Sequence, residues 1–267
     1  MRVLVFDSGL GGLTVFREVA RSRAGDSLVY AADDAAFPYG RLDEPSLVSR
    51  VLGVIDALAK ALRPDLVVIA CNTASTLALP ALRSRFAGLP FVGTVPAIKP
   101  AASASRSRLI SVLGTPGTVE RDYTQDLIRQ HAADCRVALV GAPNLAQLAE
   151  DHMRGLDVAD ERISCEIAPC FVTEGGGRTD VIALACTHYP LLREHLTRLA
   201  PWPVEFIDPA PAIARRVSQL LGPPTASGDD RRGGLAPAIF TSGAAPGAAL
   251  KEALGRFGLE ARDLARA

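Results

Sequence analysis

The sequence predicts an α/β fold made of two pseudo-symmetric α/β units with mainly parallel sheets. Short β-branched runs alternate with longer stretches of helical periodicity along the 267 residues. The predicted strands are almost continuously apolar, which is typical of parallel strands covered by helices on both faces. Most strands end in a loop of small and polar residues, and the order of elements recurs in the second half of the chain.

The first half contains three predicted strands and two predicted helices. In chain order these are a strand at 2–6, a helix at 13–22, a strand at 27–31, a helix at 45–62 and a strand at 65–70. The longer helix is the most regular, because its apolar residues recur every three or four positions. They are Leu47, Val51, Val54, Ile55, Leu58 and Leu62.

The second half repeats this order. Strands are predicted at 109–113, 136–140, 181–184 and 204–207, and a helix reaching Glu150 follows the second of them. The segment from Asp65 to Thr73 resembles the segment from Asp180 to His188, and we interpret the likeness as an internal duplication. The alternative is that buried strands of α/β proteins simply look alike.

Proline-rich crossings suggest where the chain passes between the two units. They lie at 96–108 and 201–211, and they predict one domain from 1–96 plus 208–267 and a second from 97–207. A surface loop is predicted at 221–234. The last segment, 236–267, is expected to supply one strand, at 238–241, and one or two helices.

Composition argues against several classes of protein. Lysine plus arginine and aspartate plus glutamate both number 29, so a nucleic-acid protein with a strongly basic face is not expected. No apolar run is long enough to span a bilayer or to form the core of a signal peptide, which indicates a cytoplasmic protein. The five cysteines are then expected to be free thiols, and no metal site is predicted.

Two cysteines occupy equivalent positions at the ends of predicted strands. Cys71 and Cys186 each precede polar residues and are expected to open a helix, whose N-terminus favours a thiolate. Ligands bind outside the carboxyl ends of parallel strands, so the two cysteines are expected to face each other across a cleft. A thiolate on one face of a carbon and a thiol on the other can invert its configuration by removing one proton and returning another.

Each of these residues also has an ordinary structural interpretation. A cysteine after a buried strand is often a small core residue, Asp7 could only cap a helix, and His188 could be a cap or a core group. The three lysines, Lys60, Lys99 and Lys251, do not follow strand ends. This placement argues against pyridoxal phosphate, which is bound to a lysine as a Schiff base.

Four motifs together resemble the glutamate racemases of the cofactor-independent aspartate/glutamate racemase superfamily. They are Asp7-Ser8-Gly9 with Gly11-Gly12, Phe37-Pro38-Tyr39-Gly40, Ala70 to Ser75, and Cys186 to Pro190. The resemblance covers the chain from Asp7 to about Pro209. It implies a bacterial cytoplasmic isomerase that interconverts L- and D-glutamate without a cofactor and supplies D-glutamate for peptidoglycan. It leaves the assembly open, with a homodimer as one option.

The resemblance also implies roles for individual residues. Cys71 would act on D-glutamate and Cys186 on L-glutamate, with Asp7, His188 and Glu150 assisting the thiols. The substrate contacts would be Asp7, Ser8, Pro38, Tyr39, Gly40, Asn72, Thr73, Thr118, Thr187 and His188. One departure is Ala185, where the family usually has glycine, and its methyl group is expected to shift the backbone before Cys186 slightly.

Three other functions stay open from the sequence. One is a related racemase or isomerase that acts on aspartate, a hydantoin or maleate. Another is a two-lobed amino-acid binding module without catalysis, although binding alone needs no matched cysteines. The third is a cysteine amidohydrolase that uses Cys71 and His188 and therefore needs only one cysteine.

Overall fold

The computed structural model describes residues 1–224 and 234–266. The part of the predicted surface loop at 225–233 lies outside the described residues. The chain forms two compact units, one comprising 1–94, 153–155 and 210–267 and the other 95–152 and 156–209. The domain boundaries expected from the proline-rich crossings stay a prediction.

The described strands and helices alternate through most of the chain. The strands are β1 (Arg2–Asp7), β2 (Ser27–Ala32), β3 (Leu66–Ile69), β4 (Phe91–Gly93), β5 (Leu109–Gly114), β6 (Arg136–Gly141), β7 (Thr173–Glu174), β8 (Gly177–Arg178), β9 (Val181–Leu184), β10 (Glu205–Ile207), β11 (Ala236–Phe240) and β12 (Leu259–Ala261). The helices are α1 (Leu13–Ser22), α2 (Glu44–Leu62), α3 (Asn72–Arg85), α4 (Ile98–Ala104), α5 (Pro116–Val119), α6 (Asp122–His131), α7 (Leu145–Met153), α8 (Asp160–Ile167), α9 (Arg193–Leu199), α10 (Ala210–Leu221) and α11 (Ala248–Arg256).

The two main sheets are parallel, as predicted. The first unit holds a six-stranded sheet in the order β12-β11-β2-β1-β3-β4, and every recorded pairing in it is parallel. The second unit holds a four-stranded parallel sheet in the order β10-β9-β5-β6. A separate antiparallel hairpin joins β7 and β8. The α/β class with mainly parallel sheets is therefore confirmed.

The two sheets share one strand order over four strands. The first unit runs β2-β1-β3-β4 and the second β6-β5-β9-β10, so in each unit the first strand lies between the second and the third. The third strands, β3 and β9, are the ones that precede Cys71 and Cys186. This common order supports the interpretation of an internal duplication.

The apolar periodicity predicted for α2 accounts for how that helix packs. Its buried residues are Leu47, Val51, Ile55, Leu58 and Leu62, which form one stripe along the helix. At its start the Asp43 side chain accepts a hydrogen bond of 2.8 Å from the Ser46 backbone N–H, as a helix N-cap does. At its end Arg63 adopts a left-handed conformation, which stops the helix.

The crossing predicted at 96–108 also contains a helix, α4, because proline is compatible with the first turn of a helix. Two predictions about local structure were wrong. The last segment supplies two strands, β11 and β12, where one was expected. Cys186 does not open an α-helix: a turn and a 3-10 helix over Tyr189–Leu192 follow it, with Pro190 in the first turn of that 3-10 helix.

None of the described helices is both long enough and apolar enough to cross a membrane.

Candidate active site

The residues predicted for substrate contact in the first unit gather where β1 and β3 end side by side. Asp7 is the last residue of β1, Ser8 follows it, and Cys71 lies two residues after the end of β3. Both strands pair in parallel, so their carboxyl ends meet at one edge of the sheet. Asp7, Ser8 and Cys71 are all buried.

Asp7 is held against the start of α1. Its Oδ2 atom accepts a hydrogen bond of 2.9 Å from the Gly12 backbone N–H, and the carboxylate is fully buried. Gly12 allows this approach, because a Cβ atom there would lie only 2.9 Å from the Asp7 Cβ and 3.1 Å from the Ala70 Cβ. One Asp7 oxygen is thus bound to the backbone of Gly12, which is itself the N-cap residue of α1.

Cys71 is the N-cap of α3, so the prediction that it opens a helix is confirmed. Its carbonyl oxygen accepts a hydrogen bond of 2.8 Å from the Ser75 N–H, inside the first turn of a 14-residue helix. The Ser75 hydroxyl donates to the Ile69 carbonyl at 2.8 Å and accepts from the Thr94 N–H at 3.0 Å. Ser75, which was not selected from the sequence, thereby fixes the helix start to β3 and to the residue after β4.

Asn72 and Thr73 begin α3 immediately after Cys71, and both are buried. Within the described part of the chain, neither the oxygen nor the nitrogen of the Asn72 side-chain amide has a hydrogen-bond partner. A buried amide without partners is costly, so this one is available to a polar ligand.

Pro38, Tyr39 and Gly40 lie on the connection between β2 and α2. Tyr39 is buried, Pro38 is half-buried and Gly40 is exposed. Burial raises the pKa of the Tyr39 hydroxyl far above its usual range, and the negative charges of Asp33, Cys71 and Asp7 raise it further. The Tyr39 hydroxyl is thus near enough to Cys71 and Asp7 for their charges to act on it.

The second unit brings three predicted site residues into one chain of contacts. The Cys186 sulfur lies 3.9 Å from His188 Nδ1, and His188 Nε2 lies 3.0 Å from Glu150 Oε1. All three side chains are buried. Glu150 comes from α7, whereas Cys186 and His188 follow β9. The predicted association of Glu150 with the second cysteine is thus observed as a geometric contact through His188.

The other two predicted residues of this unit, Thr187 and Thr118, are also buried. The Thr118 hydroxyl lies 2.9 Å from the Thr115 hydroxyl, within the loop and short helix that follow β5. Tyr189 was not selected from the sequence, yet it is fully buried beside this group and donates a hydrogen bond of 3.1 Å to the Ala142 carbonyl.

Ala185 fits into the sheet without breaking it. Its N–H donates to the Leu113 carbonyl at 2.8 Å, which continues the ladder of β5 and β9 up to Cys186. The neighbouring residue on β5 is Gly114, where a Cβ atom would lie 3.3 Å from the Ala185 methyl carbon. The glycine leaves room for the methyl group that the family pattern lacks.

The remaining three cysteines have different surroundings. Cys170 is buried, Cys135 is half-buried and Cys165 is exposed. Burial raises the pKa of Cys170 to about 12, so this thiol stays protonated at neutral pH. Only Cys71 and Cys186 follow the third strand of a sheet among the cysteines, all of which lie in the described ranges.

Comparison with known proteins agrees with the family resemblance of the sequence motifs. Residues 11–217 match the family model described as Asp/Glu/Hydantoin racemase. Among curated proteins, the glutamate racemase of Agrobacterium fabrum is 51% identical over 257 residues, 96% of this chain and 93% of the relative. The glutamate racemase of Mesorhizobium japonicum is 54% identical over 241 residues, 90% of this chain and 91% of the relative.

Solved structures agree with this result. The crystal structure of Escherichia coli glutamate racemase in complex with L-glutamate and the activator UDP-MurNAc-Ala is 37% identical, with a TM-score of 0.87 over 98% of this chain and 97% of that one. Sequence and fold therefore place the chain in the Asp/Glu/hydantoin racemase family.

Proposed function

We propose that the chain is a glutamate racemase that interconverts L- and D-glutamate by two-base proton transfer at the α-carbon. One observation carries this proposal: the equivalent strands β3 and β9 each lead to a buried cysteine surrounded by buried polar groups. The names of the relatives support glutamate as the substrate, and L-glutamate is the ligand of the E. coli enzyme.

The reaction starts with Cys71 as a thiolate and Cys186 as a thiol. The Cys71 thiolate takes the α-proton of D-glutamate, and the electron pair of the broken C–H bond stays on the α-carbon. The Cys186 thiol then gives its proton to the opposite face, which forms L-glutamate and leaves Cys186 as the thiolate. The reverse reaction uses the same steps in the opposite order. The two sulfurs must reach opposite faces of the α-carbon, and this arrangement is part of the proposal.

The neighbours of the two thiols would assist them differently. The first turn of α3 provides backbone N–H groups and a positive dipole end beside Cys71, which favour a thiolate. Cys186 instead has His188, with Glu150 behind it. A carboxylate at Nε2 favours the histidine tautomer that carries its proton there, which leaves Nδ1 able to accept a proton from the thiol.

The substrate carboxylates would be bound by neutral donors. The buried Asn72 amide is available for this role. The hydroxyls of Thr73 and Thr187 are buried next to a cysteine in the chain, and those of Ser8 and Thr118 are buried after β1 and β5. Donors that are already fixed in place bind an anion without the cost of reorganising the site. Zero net charge on the chain is compatible with such local recognition.

The lysines support a reaction without pyridoxal phosphate. Lys60 lies near the end of α2 and pairs with Asp56, Lys99 is in α4, and Lys251 is in α11. All three belong to helices, and none lies directly after the carboxyl end of a strand, where a Schiff base would meet the substrate. We therefore propose that the two thiols act without a cofactor, in the bacterial cytoplasm, and supply D-glutamate for peptidoglycan.

Isotope exchange tests the two-base mechanism directly. Purified enzyme in deuterium oxide is given D-glutamate with no added cofactor, and circular dichroism follows the inversion. At early times, L-glutamate should carry deuterium at the α-carbon while the remaining D-glutamate keeps protium, because product receives its proton from a different group. A flat dichroism trace would overturn the function. Protium retained in the product would overturn the two-base mechanism alone.

Three further measurements separate the alternatives. Aspartate, a hydantoin and maleate are assayed alongside glutamate, and a faster turnover of any of them would replace glutamate as the substrate. The Cys71→Ser variant should still bind glutamate but not invert it. A binding module would show no turnover in the wild-type protein or in the variant. Release of ammonia from an amide substrate would indicate an amidohydrolase. Light scattering on the purified protein distinguishes a monomer from a homodimer.

A further inference from the structure

The Asp33 carboxylate, just after β2, accepts hydrogen bonds from three side chains that come from different elements. Tyr39 donates to Oδ2 at 2.6 Å and Thr241 donates to Oδ1 at 2.5 Å. The Arg50 guanidinium spans both oxygens, at 2.9 Å from Nε to Oδ2 and 2.5 Å from Nη2 to Oδ1. Asp33 is fully buried, so its charge depends on these three partners.

The protonation of this cluster is well defined. Burial by itself would raise the pKa of Asp33, but hydrogen bonds from Arg50, Thr241 and Tyr39 outweigh it and hold the pKa below its ordinary value. The raised pKa of Tyr39 keeps the phenolic proton in place. At neutral pH the anionic Asp33 carboxylate therefore accepts a hydrogen bond from a neutral Tyr39 hydroxyl.

The contact decides which atoms Tyr39 offers to a ligand. Its hydroxyl is bound to Asp33, so the side chain serves as an anchor. The main chain of Tyr39 and Gly40 opens a 3-10 turn over Tyr39–Arg41, and the opening N–H groups of a helical turn have no carbonyl partner within that turn. Tyr39 and Gly40 are among the substrate contacts that the family resemblance implies, so with the hydroxyl engaged these main-chain N–H groups are left to make that contact.

The residues that follow β11 bind the same loop. The Ala35 N–H donates to the Thr241 hydroxyl at 3.3 Å, and the Asp34 carboxylate accepts from the Ser242 N–H at 2.9 Å and from its hydroxyl at 2.6 Å. These residues follow β11, which pairs with β2 in the sheet. Asp33, just after β2, thus connects Tyr39 to Arg50 of α2 and to Thr241, the residue after β11.

We infer that Asp33 is a positioning residue for the substrate: it anchors the Tyr39 hydroxyl and so fixes the Tyr39–Gly40 main chain that binds a substrate carboxylate. This inference rests on the proposed function, since it assigns the segment to glutamate binding. Asp33 itself touches Tyr39, Arg50 and Thr241, and it acts on the substrate through Tyr39.

A double-mutant cycle tests this role. Asp33→Asn, Tyr39→Phe and the double variant are purified, and KM and kcat for D-glutamate are measured together with the urea midpoint of unfolding. Each single variant should raise KM by about tenfold while changing kcat less, because each loosens the same binding segment. The double variant should have the KM of the single variants within about a factor of two, since both changes break one contact.

Controls separate positioning from general stability. Asp180 is a matched carboxylate in the second unit, where it accepts from the Ser105 hydroxyl and from the Arg106 and Ser107 N–H groups. Asp180→Asn should lower the urea midpoint but leave KM unchanged. Should Asp33→Asn not fold, Thr241→Val with and without Tyr39→Phe gives the same comparison, and Thr241→Ser, which keeps the hydroxyl, should restore KM.

The outcomes distinguish this inference from the function on which it rests. Absence of racemase activity in the wild-type enzyme would overturn both the proposed function and this inference. An active enzyme in which Asp33→Asn lowers stability but not affinity, or in which the effects of Asp33→Asn and Tyr39→Phe on KM multiply, would overturn the inference alone.

Discussion

His188 and Glu150 are joined by a buried contact of 3.0 Å between Nε2 and Oε1. The other ring nitrogen of His188 faces the Cys186 sulfur at 3.9 Å. A carboxylate, an imidazole and a thiol therefore stand in sequence, as they do where a base is oriented by a third group. In the proposed reaction this arrangement governs the proton on Cys186.

Glu150→Gln tests that arrangement. The variant keeps the size of the side chain but removes its charge, so we expect kcat/KM to fall by about tenfold or more. L- and D-glutamate have equal free energies, so kcat/KM must fall equally in both directions. Initial rates by circular dichroism from each enantiomer measure it.

The matched control for this experiment is Asp151→Asn, on the same helix. The Asp151 carboxylate accepts from Gln147 at 2.9 Å on the exposed side of α7. Its replacement should leave both rates unchanged. Full activity of Glu150→Gln would show that His188 does not need the carboxylate.

Exchange of single cysteines for serine should divide the five into two groups. Cys71→Ser and Cys186→Ser should each lower kcat by about a thousandfold or more, because a serine hydroxyl is a far weaker acid than a thiol. Cys165→Ser, at an exposed position, and Cys170→Ser, at a buried one, should retain activity. Retention of activity by either of the first two variants would contradict the two-base mechanism.

Gly114 and Ala185 should compensate each other. Gly114→Ala places a methyl group 3.3 Å from the Ala185 methyl carbon and 3.2 Å from Val119 Cγ1, and we expect a loss of about 1–3 kcal/mol in the free energy of unfolding. Adding Ala185→Gly should recover part of that loss, which urea titration of the single and double variants measures. Equal stability of the Gly114→Ala variant with and without the second change would show that the two residues are not coupled.

Asp33 should make stability depend on acid pH. Its pKa is lowered in the folded protein from the ordinary value of 3.8, so its contribution is present above that value and is lost as the pH falls through the folded pKa. The charged and titratable groups around it are Arg50, Tyr39 and Asp34. The difference in free energy of unfolding between the wild-type enzyme and Asp33→Asn should shrink as the pH is lowered through and below about 4. A difference that stays constant over this range would contradict the assignment.

The strands with long apolar runs were predictable, and so was the gathering of polar residues after them. β1, β5 and β9 begin at the residues expected from the sequence, because continuous apolar runs next to turn residues define both ends. β4, β7, β8 and β12 were missed, since runs of two or three residues carry little pattern, although the three-residue β10 was predicted. The polar residues selected at strand ends, such as Asp7 and Cys71, lie where a parallel sheet places its ligands.

The supporting contacts could not be predicted in the same way. Thr241 binds Asp33 across 208 positions of the chain, and only the pairing of β11 with β2 brings them together. Glu150 reaches His188 from a helix 38 positions earlier. Such pairs depend on strand order, which local periodicity does not encode. Asp33 was not selected from the sequence, although a carboxylate directly after a buried strand is a local signal that could have found this network.

The shared strand order of the two units ends in two different local structures, because Cys71 begins an α-helix and Cys186 begins a turn with a histidine. Under the proposed mechanism, mirror-image substrates of equal energy would thus be handled by bases that are chemically alike but supported by unlike neighbours. An electrophile that resembles one enantiomer would then meet a backbone-stabilised sulfur, and its mirror image would meet a sulfur coupled to an imidazole. The two should differ in alkylation rate and in its dependence on pH.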